Sequence, residues 1–182
     1  EEQWLFSEAL KEAMEKRFTE PDPREDLSGF DVARKLVVLV RTAGYRISFE
    51  DAKVNPFMPR EYLIDESVDS FLQRAPSLNE YFSKKFAKLH AKGSTLRYVA
   101  LFDRRQQKLE VGLQEVSLKS PLGQLQGTAN KIVVVSKTYP EQNPYCVQAP
   151  GAGLEITAQN IRRDLLGFLE ERVICQIGPI HE

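Results

Sequence analysis

Charged residues crowd into one segment near the N-terminus, residues 19–35, which reads TEPDPREDLSGFDVARK. Carboxylates dominate it, two prolines interrupt it, and a lysine ends it. A dense set of carboxylates can hold a metal ion, or it can orient the amine and hydroxyl of a small substrate. The spacing does not match an EF-hand loop, and the residue types alone leave both alternatives open.

Asp31 and Lys35 are the pair in this segment with the most specific spacing. Residues four apart lie next to each other on a helix surface, so we expect their side chains to meet. An exposed pair of this kind stabilises a helix by only roughly 0.2–0.5 kcal/mol. Three further carboxylates within the segment, Glu20, Asp22 and Asp26, favour a site over a simple surface pair.

Helices on both sides of a proline loop must position these residues. Apolar residues at spacings of three and four between Leu5 and Met14 predict a first helix. Pro21 and Pro23 then predict a stiff loop over residues 20–24. A second helix is expected from an N-cap at Ser28 to Gly44, with Asp31 in its first turn.

From residue 47 onward, apolar and polar residues recur with a less regular spacing. Residues 47–54 predict a weak strand, and Ser77 with Glu80 predicts a capping box for a helix that ends at Gly93. Residues 95–102 and 108–117 predict an antiparallel hairpin, and residues 130–138 and 144–149 predict two more strands. A last helix is expected after Gly151. This order predicts an α+β fold, with a mostly antiparallel or mixed sheet and helices on one face.

Composition limits the classes of partner. The 182 residues include 25 basic and 26 acidic side chains, for a net charge of -1, which argues against nucleic acid. The longest apolar run, residues 36–40, is far too short to span a bilayer. Cys146 and Cys175 show no metal-ligand spacing, which favours a reducing, cytoplasmic setting. His90 and His181 are assigned no role.

The stretch EPDPREDLSGFDVARK resembles the signature of homoserine dehydrogenases, a pattern close to D-P-x-x-D-L-x-G-x-D-x-x-x-K. Every fixed position matches, namely Asp22, Pro23, Asp26, Leu27, Gly29, Asp31 and Lys35. FSEALKEAM, LRYVALFD and PGAGLEITAQNIRRDLL also resemble that family, in the same order along the chain. The likeness is closest to the dehydrogenase half of the bifunctional aspartokinase/homoserine dehydrogenases.

The resemblance implies an activity and roles for five residues. Lys35 would be the general acid/base that gives a proton to the carbonyl oxygen of L-aspartate 4-semialdehyde as NADPH or NADH delivers hydride. Asp31 would orient that lysine and the substrate, and Glu20 and Asp26 would contact the substrate. Gly153 would lie against the nicotinamide nucleotide. No metal ligand is assigned.

The chain also departs from the family pattern. It contains no G-x-G-x-x-G fingerprint, so we expect NADP or NAD to bind mainly to a domain outside it. Residues 1–150 would form the catalytic and dimerisation domain, and residues 151–182 would return to the nucleotide-binding domain. The chain alone is therefore expected to be inactive.

A second departure is local. The family usually has glycine and then tyrosine where this chain has Arg17 and Phe18. That glycine borders the nicotinamide in the family. We expect the backbone to make that contact here, with the Arg17 side chain pointing away.

Two-sided apolar runs such as residues 132–135 lie within the predicted strands and predict a homodimer that covers them. A different class of function also remains open. The chain could be a non-catalytic dimerisation or regulatory module with the same fold, in which residues 20–35 form a solvated surface.

Overall fold

The computed structural model describes residues 4–64, 67–151 and 153–177, and the side chains up to residue 169. His181 and the side chain of Cys175 lie outside this range. The helices are α1 (Phe6–Glu15), α2 (Pro23–Ser28), α3 (Phe30–Thr42), α4 (Val68–Arg74), α5 (Asn79–His90) and α6 (Leu154–Ile177). The strands are β1 (Ala52–Val54), β2 (Ser94–Asp103), β3 (Lys108–Ser117), β4 (Ala129–Val134) and β5 (Tyr145–Pro150). Helices and small mixed or antiparallel sheets confirm the α+β prediction.

The chain divides into two units, residues 1–124 and residues 125–182. The first unit contains a three-stranded sheet in the order β1-β3-β2. Strands β2 and β3 are antiparallel from Asp103 opposite Lys108 to Ser94 opposite Ser117, which confirms the predicted hairpin. Strand β1 runs parallel to β3, so the sheet is mixed.

Helix α3 packs on one face of this sheet. Its buried residues are Ala33, Leu36, Val37 and Val40, which recur at spacings of three and four and so form a single stripe. The stripe meets buried Leu109 and Val111 of β3, with Tyr98, Ala100 and Phe102 of β2 packed alongside. The same register places Ala52 and Val54 of β1 on this face.

A second core lies among α1, α4 and α5. Its buried residues are Leu10, Met58, Phe71, Ala75, Leu78 and Phe82, and the rings of Phe6 and Phe82 stack at 4.8 Å between centroids. Asn79 joins two of these helices. Its side-chain oxygen accepts from the Ser7 amide at 2.9 Å, and its Nδ2 donates to Ser7 Oγ at 2.9 Å. The first turn of α1 is therefore capped from α5.

The second unit contains the antiparallel ribbon of β4 and β5, paired from Ala129 opposite Pro150 to Val134 opposite Tyr145. Ile132, Val134, Tyr145 and Val147 share one face of the ribbon, and each is at least 44% exposed. Helix α6 follows, and the Thr157 amide donates to the Gly153 carbonyl at 3.1 Å in its first turn. Among the described helices, none combines the length and apolarity that a bilayer crossing requires.

Two predictions around the proline loop were wrong. Residues 23 and 24 are helical, because Pro23 occupies the first position of α2, where its missing N–H and fixed φ are tolerated. Ser28 ends α2, and Gly29 rather than Ser28 is the N-cap of α3. Ser28 Oγ still accepts from the Phe30 amide at 3.2 Å, so part of the predicted capping remains.

Three other boundaries also differ from prediction. The weak strand is limited to β1, because Asp51 accepts from the Ser48 amide at 2.7 Å and closes a 3-10 turn at Phe49–Asp51. The capping box at Ser77 was wrong, because the 3-10 turn Ala75–Leu78 runs directly into α5 and leaves no free helix start. The predicted strand at residues 130–138 ends at Val134, before a turn in which the Ser136 amide donates to the Tyr139 carbonyl.

Arg17 adopts a left-handed conformation, with φ of 56°, at the end of α1. The Phe18 amide donates to the Ala13 carbonyl at 2.9 Å, and the Arg17 amide donates to the Met14 carbonyl at 3.0 Å. These two bonds form a Schellman motif, whose left-handed position usually carries glycine. Backbone geometry therefore favours the glycine that the family has at this position.

We expect Arg17→Gly to raise the free energy of unfolding by about 1 kcal/mol, since glycine relieves the left-handed strain. Chemical denaturation measures the change. Lys16→Gly is the matched control, because Lys16 lies one residue earlier with an ordinary φ of -79°. That control should lose stability by roughly 0.5–1 kcal/mol. Equal losses in both variants would contradict the strain argument.

Candidate functional site

Lys35 and Asp31 form an ion pair on the outward face of α3. Lys35 Nζ lies 2.7 Å from Asp31 Oδ2, and the two side chains are 69% and 54% exposed. Successive helical residues are rotated by about 100°, so both lie opposite the stripe that packs on the sheet. Val38, on the same outward face, is 62% exposed. The predicted contact between Asp31 and Lys35 is thus present in the structure.

Asp22 and Arg24 stiffen the segment that leads into α2. Asp22 is the N-cap and accepts from the Arg24 amide at 3.0 Å. The Arg24 guanidinium also donates hydrogen bonds to both carboxylate oxygens of Asp22. Its Nε lies 2.8 Å from Oδ1, and a terminal nitrogen lies 2.5 Å from Oδ2. These hydrogen bonds hold the pKa of Asp22 below its usual value of 3.8, although partial burial opposes them.

Asp26 holds Glu20 through the backbone. Asp26 Oδ2 accepts from the Glu20 amide at 2.9 Å, which folds the start of the segment back onto α2. Both side chains are exposed, and among the described residues the Glu20 carboxylate has no hydrogen-bond or ion-pair partner. One oxygen of Asp26 is therefore occupied by the protein, whereas both carboxylate oxygens of Glu20 face solvent.

The four predicted site residues of the N-terminal segment form two pairs. Asp31 pairs with Lys35, and Asp26 pairs with the Glu20 amide. Within the part of the chain that the structure describes, no ion pair or hydrogen bond joins one pair to the other. No group of three or more potential ligand side chains lies close enough to hold a metal ion among those residues.

Gly153 belongs to the second unit of the chain. Its φ of 128° is a conformation that glycine favours, and among the described residues the side-chain atom nearest to its absent Cβ is Ile156 Cγ1, at 3.9 Å. The space beside this glycine is therefore open within the part of the chain that the structure describes. Gly151 differs, because a Cβ there would lie 2.3 Å from the Asn130 side chain, so internal packing explains that glycine.

Sequence reasoning missed two residues that shape the site. One is Arg24, whose position two residues after Asp22 in a D-P-R stretch is a detectable signal for a local clamp. Tyr98 was missed because it contacts Gly29 from a distant strand. Local spacing carries no information about such a contact.

The structure presents an exposed lysine–aspartate pair on a helix that packs on a small mixed sheet, within an α+β domain. The family model for homoserine dehydrogenase matches residues 1–166. The chain therefore belongs to the homoserine dehydrogenase family. This family was the one indicated by the signature.

Individual relatives and solved structures resemble the chain to different degrees. The chain is 40% identical over 161 residues to a chloroplastic bifunctional aspartokinase/homoserine dehydrogenase 2 of Zea mays, covering 88% of this chain and 17% of that protein. A protein of unknown function from Candida auris has a TM-score of 0.80 and 30% identity, over 93% of this chain and 47% of its own. The homoserine dehydrogenase of S. aureus has a TM-score of 0.65 over 99% of this chain and 39% of its own. At 20% identity, that last likeness shows the fold alone.

The Asp22–Arg24 clamp leads to a prediction about pH. The folded-state pKa of Asp22 is lowered, so its contribution to stability is complete above the usual value of 3.8 and is lost as pH falls through the folded pKa. Asp22→Asn keeps an N-cap acceptor but removes the charge. We expect it to lower the free energy of unfolding by about 1 kcal/mol at pH 7. The difference from the unchanged chain should shrink as pH falls below 3.8 and through the folded-state pKa of Asp22.

Urea denaturation at a series of pH values measures this difference. Glu25→Gln is the control, because it removes a carboxylate from the same short helix without touching the clamp. The difference in free energy of unfolding between Asp22→Asn and the unchanged chain could instead stay constant from pH 7 to pH 2. That result would show that the charge of Asp22 does not stabilise the fold.

Proposed function

We propose that this chain is the substrate-binding and catalytic part of a homoserine dehydrogenase. The enzyme would reduce L-aspartate 4-semialdehyde to L-homoserine in the biosynthesis of threonine, methionine and isoleucine. The observation that carries this proposal is the 2.7 Å pair of Lys35 and Asp31 on the open face of α3, within a segment that matches every fixed position of the family signature. The chain spans only 17% of the length of its maize relative, so the activity is proposed for the whole protein.

Lys35 would act as the proton donor. Hydride addition to the aldehyde carbon places negative charge on the carbonyl oxygen, and a nearby ammonium stabilises that charge and supplies the proton. Lys35 Nζ would give its proton to that oxygen, and Asp31 would hold the ammonium in place. In the oxidation of homoserine, the neutral amine would take the hydroxyl proton. The hydride would come from the reduced nicotinamide in the reduction and would return to the oxidised nicotinamide in the oxidation, so atoms and charges balance in both directions.

Glu20 and Asp26 would bind the amine of the substrate. The Glu20 carboxylate has both oxygens available, and Asp26 has one oxygen that does not bind the Glu20 amide. A primary ammonium has three donors, which suits two neighbouring carboxylates. The absence of an ion pair from either residue to Lys35 supports this role, since that lysine leaves them available.

NADP or NAD would supply the hydride when bound. The open backbone of Gly153 supports one contact with the nicotinamide portion, and the lack of a G-x-G-x-x-G fingerprint supports binding mainly outside this chain. We therefore propose that residues 1–150 form the catalytic and dimerisation domain and that residues 151–182 return to the nucleotide-binding domain. The chain alone would not turn over. A reducing compartment such as the cytoplasm fits exposed Cys146.

The runner-up function is a non-catalytic dimerisation or regulatory module. The exposure of both side chains of the Lys35–Asp31 pair favours it, because surface pairs of this kind often contribute nothing measurable. The two functions differ in what the loss of Lys35 would do.

Lys35→Ala should reduce turnover in the complete gene product by several orders of magnitude, because it removes the proton donor. Turnover is measured with L-aspartate 4-semialdehyde and NADPH. Lys84→Ala is the matched control, since Lys84 and Glu80 form the same i, i+4 pair on α5 at 2.5 Å. Both substitutions should change the free energy of unfolding by less than about 0.5 kcal/mol. Unchanged turnover in Lys35→Ala would support the non-catalytic module instead.

We also propose a homodimer that covers the apolar face of the β4–β5 ribbon. An isolated two-stranded ribbon is marginally stable in water, and this one exposes Ile132, Val134, Tyr145 and Val147 together. Sedimentation velocity at micromolar concentration should therefore detect a dimer. Val134→Glu should convert it to a monomer. Gln148→Glu, on the opposite face of the ribbon, should leave the dimer intact, and a monomeric unchanged chain would contradict the proposal.

A further inference from the structure

Gly29 has no room for a side chain. Its φ is 80°, and a Cβ built there would lie 1.8 Å from the Tyr98 hydroxyl oxygen and 2.8 Å from the Tyr98 ring carbon Cζ. The Tyr98 ring of β2 therefore packs directly against the backbone between α2 and α3. We call this junction, residues 28–30, the elbow.

The Tyr98 hydroxyl also binds the loop that follows β1. It donates to the Asn55 carbonyl at 2.7 Å, and the Asn55 amide donates to the Val111 carbonyl at 2.8 Å. Two residues later, the Phe57 amide donates to the Leu27 carbonyl at 2.9 Å, in the last turn of α2. Residues 55–57 thus bridge β3 to α2, and Tyr98 braces that bridge from β2.

Aromatic packing anchors Tyr98 on both sides. Tyr98 packs on the core between α3 and the sheet, and its ring lies 5.9 Å from that of Phe57. Phe57 in turn lies 5.3 Å from Phe82 in the second core. Burial raises the pKa of Tyr98 to about 12, so the hydroxyl remains a hydrogen-bond donor throughout the physiological pH range.

The elbow lies between the two charged pairs along the chain. Gly29 is both the C-cap of α2 and the N-cap of α3, and its carbonyl accepts from the Ala33 amide at 3.0 Å. Asp26 lies on α2 and binds the Glu20 amide, whereas Asp31 and Lys35 lie on α3. A rotation at this single residue would move one pair against the other.

We propose that Tyr98 is a positioning residue for the reaction, because its ring and hydroxyl hold the elbow and thereby fix Glu20 and Asp26 relative to Asp31 and Lys35. The proposal rests on the proposed function. It adds to it a residue outside the signature, which touches neither substrate nor cofactor and acts through Gly29 and Asn55.

Tyr98→Phe tests the hydroxyl while it keeps the ring. Amide hydrogen exchange of the 182-residue chain, read by NMR, reports the elbow without any ligand. The Phe57 and Ala33 amides should exchange roughly tenfold faster, because the bridge to α2 loosens. The Leu118 amide, which donates to the Gly93 carbonyl at the far end of the β2–β3 hairpin, should be unchanged.

The functional readout is steady-state kinetics of the complete gene product with L-homoserine, well below the melting temperature. Tyr98→Phe should lower kcat/KM by roughly tenfold or more, because small displacements of reacting groups are costly to catalysis. Tyr62→Phe is the matched control. It removes a hydroxyl whose bond to Ser77 Oγ is also 2.7 Å long but lies away from the elbow, and it should leave kcat/KM unchanged.

A second variant pair tests the steric contact. Gly29→Ala introduces a Cβ and backbone strain together, whereas Gly29→Ala in a Tyr98→Ala background retains the strain and removes the clash. The substitution should therefore accelerate exchange at Ala33 less in the second background. Equal acceleration in both backgrounds would show that the contact does not matter.

The outcomes separate two kinds of failure. Unchanged exchange at Phe57 and Ala33 in Tyr98→Phe would overturn the elbow argument, whatever the kinetics. Faster exchange with unchanged kcat/KM would show that the elbow moves without affecting the site, and it would overturn the positioning role. If the unchanged gene product does not oxidise L-homoserine, the proposed function fails, and the positioning role fails with it.

Discussion

The contact between helix α3 and the three-stranded sheet determines where the charged residues of the site can lie. Ala33, Leu36, Val37 and Val40 are buried against β3, and full burial of an aliphatic side chain is worth about 1.5–3 kcal/mol. The Asp31–Lys35 pair contributes only roughly 0.2–0.5 kcal/mol. The core therefore sets the rotation of the helix. The charged pair points outward as a consequence of that packing, and it does not cause it.

Short-range interactions fix the shape of the segment before α3, and the Asp31–Lys35 pair takes no part in them. Arg24 clamps Asp22, Asp26 binds the Glu20 amide, and Gly29 turns the chain between α2 and α3. Each of these interactions spans six residues or fewer, so the local shape follows from local chemistry. The contact of Gly29 with Tyr98 and the hydrogen bond from the Phe57 amide to the Leu27 carbonyl tie this shape to the sheet and to the loop after β1. The site is thus a locally folded segment that is attached to the sheet through α3, through Gly29 and through Leu27.

The sequence predicted the features that rest on periodicity and failed where one residue serves two elements. Helix α3 and the β2–β3 hairpin were predicted because their apolar patterns extend over ten or more residues. Helix α2 was missed because it is six residues long and begins with Pro23, which reads as a helix breaker. Arg17 gave no signal of a left-handed turn, since arginine rarely occupies that conformation. The pairing of site residues within α3 was predictable, whereas the bracing by Tyr98 depends on tertiary structure.

The exposure of Lys35 bears on how such a site could work. An ammonium stabilises a developing alkoxide strongly only where water is excluded, because the interaction energy falls as the effective dielectric constant rises. Lys35 is 69% exposed, and Val38, one turn further along α3, offers an apolar surface at 62% exposure. Under the proposed function, a segment that covered Val38 would also remove water from around Lys35. Under that proposal, Lys35 would become an effective proton donor once the outward face of α3 is covered.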